Sequence, residues 1–150
     1  MDNKLKLLVS EKGLQDCVIL TGLRPYNEMP DFIKLADLSL TPFFINPITK
    51  DIIPIKVLNC LAGGTPMLCA PIRDVVKHFP EYESGMIYAD IANPNNFIEK
   101  MIDIISDNAL RTRLSHNAIK YIEENFLLDK QIDKLENLLY SVISKHQIIQ

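Results

Sequence analysis

Four short apolar segments within the first ninety residues constrain this chain more than any other feature. Each is four or five residues long and carries no charge, and they are Cys17–Thr21, Leu38–Thr41, Pro66–Ala70 and Gly85–Tyr88. Strands that are buried on both faces of a sheet have this composition. Because helical patterns separate the segments, the sequence predicts an α/β fold with a layered sheet of about four strands.

The segments between the strands carry helix signals. The first helix is predicted over residues 3–12, where Gly13 ends it, and the second begins near Pro30. A third starts at Pro54 and stops at Gly63 and the glycine that follows. Its buried stripe is predicted from helical spacing to be Val57, Leu58, Leu61 and Ala62, so that Lys56, Asn59 and Gly63 face the other way.

After the fourth strand the chain is predicted to be entirely helical. Asn93 with Pro94 forms one helix start, and Asp107 caps the next helix. Apolar residues at helical spacing give the expected core faces of the three helices, which are Ile98, Met101, Ile102 and Ile105; Leu110, Leu114, Ala118, Tyr121 and Ile122; and Ile132, Leu135, Leu139, Val142 and Ile143.

Composition excludes several classes of function. A chain of 150 residues, 47% of them hydrophobic, is long enough for one domain with its own hydrophobic core. Its net charge is -3 and it contains no basic run, which argues against nucleic acid as a partner. We find no secretory leader and no apolar run of membrane-spanning length. The three cysteines are expected to be buried reduced thiols, and the scattered histidines predict no metal site.

Candidate ligand-binding residues lie where the predicted strands end. Ligands of open α/β sheets bind outside the carboxyl ends of the strands, and residues 42–53 and 71–76 leave two such ends. The helix that starts at Pro54 aims its N–H groups at the same edge, with Lys56 in its first turn and Lys50 just before it. This arrangement suits a diphosphate, although both lysines could equally be solvated.

Two further polar residues flank the start of this helix. Asp51 and Asn59 are eight positions apart, and their side chains could hydrogen-bond sugar hydroxyls. The alternatives are an ordinary loop acid and a solvated helix residue. The glycine signatures of dinucleotide sites and P-loops are absent, so Gly63 is interpreted first as a helix stop and second as a place where a ligand could approach the backbone.

Several stretches resemble family 4 glycosyltransferases. Val18–Gly22 followed by Ala36–Pro42 is similar to that family's V-x-F-x-G … A-D-x-x-x-x-P pattern. Pro54–Leu68 resembles its P-x-K-x-x-E-x-x-A-x-G-x-P-V-V segment and is the most specific part of the likeness. Gly85–Tyr88 and Ile104–Ala118 resemble a later strand and helix pair, and the likeness extends over about residues 5–140.

The resemblance implies the C-terminal, donor-binding domain of a GT-B glycosyltransferase, with an incomplete Rossmann-like, doubly wound sheet and a helical tail. The donor is then a nucleotide sugar, with no cofactor and no metal. A surface-polysaccharide pathway, which the resemblance also implies, would place the chain in the cytoplasm. Lys56 is implied to hold phosphate, Asp51 to act as the candidate catalytic residue near the sugar, and Asn59 to lie near the ribose; Pro54 and Gly63 complete the implied donor site. Asp51 and Asn59 stand where the family's E-x7-E motif has two glutamates.

Two departures from the family leave alternatives open. The strands that carry the family's diphosphate-binding arginine and lysine have no counterpart here, nor does the acceptor domain. The chain is therefore interpreted as truncated on its N-terminal side, or as a split enzyme complemented by another half; alternatively, residues 17–21 pair beside 38–41. A peripheral membrane acceptor is a further candidate partner. A catalytically dead remnant or partner-binding subunit is the second function considered, and a receiver-like domain the third.

Overall fold

The computed structural model describes residues 2–147, which contain a three-stranded sheet and several helices. In chain order the elements are α1 (Asp2–Glu11), a 3₁₀ turn (Tyr26–Glu28), α2 (Met29–Leu35), β1 (Ser39–Thr41), α3 (Ile55–Ala62), β2 (Met67–Cys69), α4 (Arg73–His78), β3 (Met86–Tyr88), α5 (Pro94–Ser106), α6 (Asn108–Asn125) and α7 (Leu128–Gln147).

All three strands run parallel, in the order β1-β2-β3. Ser39 lies opposite Met67 in the first pair, and Met67 lies opposite Met86 in the second. Parallel neighbours need a crossover, and α3 and α4 supply the two connections. The predicted α/β class is confirmed, whereas the sheet has three strands among the described residues instead of about four.

The missing strand is the segment Cys17–Thr21, whose prediction was wrong. The backbone N–H groups of Cys17 and Val18 both donate to the Leu14 carbonyl, at 3.1 and 2.9 Å, and the segment forms no strand. A strand exists only where a neighbour accepts its hydrogen bonds, which apolar composition cannot supply. Cys17 is exposed instead of buried. The alternative in which 17–21 pairs beside 38–41 needs a strand that the structure does not form.

The chain divides into two compact units after Phe32. The first contains α1, a turn in which Gly13 adopts a φ of 66°, an extended stretch and the 3₁₀ turn. The second, from Ile33 onward, contains the sheet and α3 to α7. The assignment of residues 1–150 to one partial donor-binding domain stays a prediction.

The core of the second unit lies on both faces of the sheet, because alternate residues of a strand point in opposite directions. One face carries Met67, Cys69 and Met86, and it packs against residues of α3, α4 and α6 such as Leu61 and Val75. The other face is covered mainly by α5. Its buried cluster comprises Leu68, Ile87, Ala89, Phe97, Ile104 and Leu114.

The predicted core face of α5 was wrong except for Met101, which packs against the buried cluster. Phe97 and Ile104 are buried, whereas Ile98, Ile102 and Ile105 are exposed. The helix carries two apolar stripes at helical spacing, so periodicity alone could not select the one that meets the sheet. The predicted starts of α5 and α6 are confirmed, because Asn93 accepts a hydrogen bond from the Asn96 N–H and Asp107 accepts one from the Leu110 N–H.

The last two helices differ in how far their predicted faces are buried. In α6, Leu114, Ala118 and Ile122 are buried, as predicted. In α7 the predicted stripe is present in sequence, but its residues are exposed in the structure; these are Ile132, Leu135, Leu139, Val142 and Ile143.

Candidate functional site

The carboxyl ends of the three parallel strands lie at one edge of the sheet, here called the carboxyl edge. Residues 42–54 leave β1 at this edge, and residues 70–72 leave β2 beside them. Ligands of parallel α/β sheets bind outside this edge. The polar side chains on these two segments therefore form the candidate site.

The segment after β1 is an ordered loop. The Asn46 side chain accepts hydrogen bonds from the N–H groups of Ile48 and Thr49, at 2.8 and 3.1 Å, and the Thr49 hydroxyl donates to the Phe44 carbonyl at 2.8 Å. Lys50, which is exposed, donates its N–H to the Asn46 carbonyl at 2.9 Å. This turn fixes the backbone that leads into Asp51.

Pro54 sets the start of α3 at the carboxyl edge. It occupies the N-cap position with φ -64° and ψ 132°, and its side chain makes no capping hydrogen bond. The first-turn N–H groups of α3 therefore lack a side-chain acceptor at the cap, and the positive end of the helix dipole lies at this edge. Val57 and Leu61 are fully buried against the sheet, and this orientation leaves Lys56 exposed.

Lys56 lies close to both strand ends. Phe43 is the second residue after the end of β1. The Lys56 ammonium lies 4.3 Å from the centroid of its ring, a distance that allows a cation–π contact. The charge of Lys56 also acts on Cys69, the last residue of β2. Burial raises the pKa of the Cys69 thiol to about 12, and the positive charge of Lys56 opposes part of this increase. The role of Phe43 was not predicted, because an aromatic residue after a strand has no signal of its own.

Asp51 is paired with a cation that the sequence analysis missed. The Arg73 guanidinium forms an ion pair with the Asp51 carboxylate. Arg73 begins α4, so residues 71–76, which were predicted as a loop, are in fact only a short connection followed by a helix. The signal was present in the chain, because Arg73 lies four positions after β2, where parallel sheets place ligand-binding residues.

The structure separates Gly63 from the other predicted site residues. Asn59 is half-buried and lies three positions after Lys56, on neighbouring surface of the same helix. Gly63 caps the far end of α3, about 10 Å along the helix axis from Lys56. A methyl group added at Gly63 would lie 2.5 Å from Cγ2 of Ile33, so close packing against Ile33 explains this glycine.

A cavity of about 310 Å³ lies at the opposite, amino edge of the sheet. Its walls are Lys34, Ala36, Asp37, Gly63, Gly64, Thr65, Pro66, Asn108, Arg111, Thr112 and Ser115. The Arg111 guanidinium donates to the carbonyls of Ile104 and Ile105, and its Nε lies 3.7 Å from Oδ1 of Asp37. The two carbonyl contacts of Arg111 hold the end of α5 to the start of α6, so this residue has a structural role in the cavity wall.

The described part of the chain contains neither a metal cluster nor a membrane-spanning helix. No group of three or more described His, Cys, Asp or Glu side chains is arranged to hold a metal ion. None of the helices described is long and apolar enough to cross a membrane. The expectation that no metal takes part stays a prediction.

Comparison with known proteins identifies relatives of the chain. The family model for glycosyl transferases group 1 matches residues 1–121. Alpha-D-kanosaminyltransferase of Streptomyces kanamyceticus is 24% identical over 136 residues, which are 89% of this chain and 33% of that protein. The chain thus spans about a third of the length of this curated relative.

Two solved structures share the fold. Sucrose-phosphate synthase from Thermosynechococcus elongatus superposes with a TM-score of 0.76 at 17% identity, over 93% of this chain and 34% of that one. The C-terminal domain of the group 1 glycosyl transferase LpcC from Francisella tularensis superposes with a TM-score of 0.68 at 16% identity, over 85% of this chain and 63% of that one.

Proposed function

Because this chain belongs to the glycosyl transferases of group 1 and corresponds to the C-terminal domain of their GT-B fold, we propose that it is the nucleotide-sugar donor-binding portion of a retaining glycosyltransferase. The intact enzyme would transfer a sugar from a nucleoside diphosphate to an acceptor hydroxyl. The observation that carries this proposal is the placement of Lys56 in the first turn of α3, beside the ends of β1 and β2.

The geometry at the start of α3 suits a diphosphate. The N–H groups of the first helical turn and the helix dipole favour an anion, and the Lys56 ammonium adds a full positive charge. As the bond between sugar and diphosphate breaks, negative charge grows on the leaving oxygen. Cations and N–H groups already in place stabilise that charge without rearranging.

The other residues receive roles by their position. Asp51, at the end of the ordered loop, is proposed to lie near the donor sugar, and the half-buried Asn59 of α3 near the ribose. Pro54 places the helix start. Gly63 is left out of the proposed donor site because it lies at the amino edge and packs against Ile33.

The chain is proposed to be inactive by itself. It spans about a third of the kanosaminyltransferase that it resembles, so an acceptor-binding half would complement it in the working enzyme. Such an enzyme would act in the cytoplasm on a surface-polysaccharide precursor, with an acceptor at the membrane periphery, and would need no metal.

A second candidate function is a catalytically dead remnant or a subunit that binds a partner. It is favoured by Asp51 and Asn59, because the shorter acid and the uncharged amide replace the two glutamates of the family motif. A carboxylate can accept one hydroxyl of a ribose diol at each of its two oxygens, whereas an amide has a single, uncharged acceptor oxygen. This candidate predicts that the chain binds no donor.

Thermal unfolding in the presence of nucleotides separates the two. A ligand that binds only the folded chain raises the melting midpoint, by an amount equivalent to about 2.7 kcal/mol at a concentration 100 times its Kd. We expect UDP or GDP, and its sugar conjugate, to raise the midpoint. Lys56→Ala should abolish the increase, whereas Lys120→Ala, on the exposed surface of α6, should retain it. No response to any nucleotide would favour the remnant.

A further inference from the structure

The Asp51–Arg73 ion pair joins two neighbouring segments at the carboxyl edge. Asp51 ends the loop that leaves β1, and Arg73 begins α4 after the connection that leaves β2. Ile72 and Val75, on either side of Arg73, are fully buried. The backbone of Arg73 is thus held in place, and its side chain reaches outward from the sheet toward the loop.

The pair is open to solvent. The Arg73 side chain is 69% exposed, and that of Asp51 is 36% exposed. Exposed ion pairs contribute little to the free energy of folding, so this contact is not explained by stability. A guanidinium carries five N–H donors in a fixed plane, and one contact with Asp51 leaves other donors directed to solvent.

A carboxylate beside a guanidinium has the hydrogen-bonding capacity that sugar hydroxyls require. Each hydroxyl both donates and accepts, so the carboxylate can accept from one hydroxyl while the guanidinium donates to the next. The pair is neutral in sum. It therefore suits the hydroxyl groups of an uncharged sugar.

We propose that Arg73 is a specificity-determining residue of the donor site, which together with Asp51 binds vicinal hydroxyls of an uncharged donor sugar. This inference rests on the proposed donor-binding function, because Asp51 is placed there at the sugar end of the donor. Lys56 and the start of α3 bind the diphosphate, and the Asp51–Arg73 pair distinguishes the sugar conjugate from the bare nucleotide.

Calorimetric titration of the chain with a nucleoside diphosphate and with its neutral-sugar conjugate tests the inference. The wild-type chain should bind the conjugate more tightly than the diphosphate. Arg73→Ala should weaken conjugate binding about 10-fold, in the range of a lost hydrogen bond to a charged group, while leaving diphosphate binding within about 2-fold. Lys56→Ala should weaken both ligands. Arg113→Ala, at an exposed position of α6, is the matched control and should change neither.

A double-mutant cycle shows whether the two residues act together. If they bind the sugar as a unit, Asp51→Asn, Arg73→Ala and the double variant should lose similar affinity for the conjugate. A purely structural pair would instead change the melting midpoint without separating the two ligands.

The outcomes distinguish this inference from the proposed function. Equal weakening of both ligands by Arg73→Ala, or no weakening at all, would overturn the inference and leave donor binding intact. A wild-type chain that binds the diphosphate but gains nothing from the sugar would do the same. A wild-type chain that binds neither ligand would overturn both proposals.

Discussion

Gly85 and Gly64 provide a matched test of how tightly the second unit is packed. Both adopt left-handed backbone conformations, with φ angles of 79° and 78°. A side chain in this region costs about 1–2 kcal/mol. The two sites differ in what an added methyl group would meet. At Gly64 the nearest atom is Cδ1 of Ile119, at 2.9 Å, which is the end of a flexible and exposed side chain.

At Gly85 the obstacle is rigid. An added methyl group would lie 2.5 Å from the Cβ of Ala118 and 2.7 Å from the carbonyl oxygen of Leu114, both on α6. The helix backbone cannot rotate away, so overpacking should add about 1–3 kcal/mol to the conformational cost. We expect Gly64→Ala to lower the free energy of unfolding by about 1–2 kcal/mol. Gly85→Ala should lower it by about 2–5 kcal/mol.

Urea unfolding of both variants, followed by circular dichroism, measures the difference directly. The predicted result is a lower midpoint for Gly85→Ala than for Gly64→Ala, with similar slopes. Equal midpoints would show that α6 shifts to accommodate the methyl group, and would refute the claim that its backbone is fixed against β3.

The remaining predictions concern the core and the thiols. Phe79→Ala should destabilise the chain by about 3–5 kcal/mol in urea unfolding, because Phe79 is fully buried and stacks at 4.9 Å on Phe126; a loss under 1 kcal/mol would contradict this. Tyr88→Phe should cost about 1 kcal/mol in the same assay, because the Tyr88 hydroxyl donates to the Phe79 carbonyl at 2.7 Å; an unchanged midpoint would argue against that bond. A thiol reagent at pH 8 should modify Cys17 quickly and Cys69 only after unfolding, and rapid native labelling of Cys69 would show that its burial is wrong. Since burial raises the Cys69 pKa from 9.0 to about 12, the folded chain holds this proton more tightly, and the stability that it contributes should fall as the pH rises from 9 to 12.

The sequence predicted well wherever a local signal coincides with tertiary packing. Asn93 and Asp107 cap helices because their side chains accept hydrogen bonds from residues only three positions ahead. The strands β1, β2 and β3 were found because their residues are apolar on both faces and lie between helices. Lys56 was assigned to the carboxyl edge by its place in the first turn of α3, which the buried Val57 and Leu61 confirm.

The sequence predicted poorly wherever the partner is distant in the chain. Cys17–Thr21 has the composition of a strand but forms none in the described structure. The choice between the two apolar stripes of α5 depends on which one meets the sheet. Arg73 was missed for the same reason. Asp51 lies in the connection between β1 and β2, and Arg73 in the connection between β2 and β3. Only the pairing of β1 beside β2 brings the two residues together.

The location of nucleotide binding is the central claim, and backbone amide chemical-shift mapping tests it most directly. The ¹⁵N-labelled chain would be titrated with UDP and GDP. The account predicts that shifted amides cluster at the carboxyl edge, in residues 42–57 and 70–74. Shifts centred on the amino-edge cavity around Gly63 and Arg111, or no shifts with either nucleotide, would contradict it.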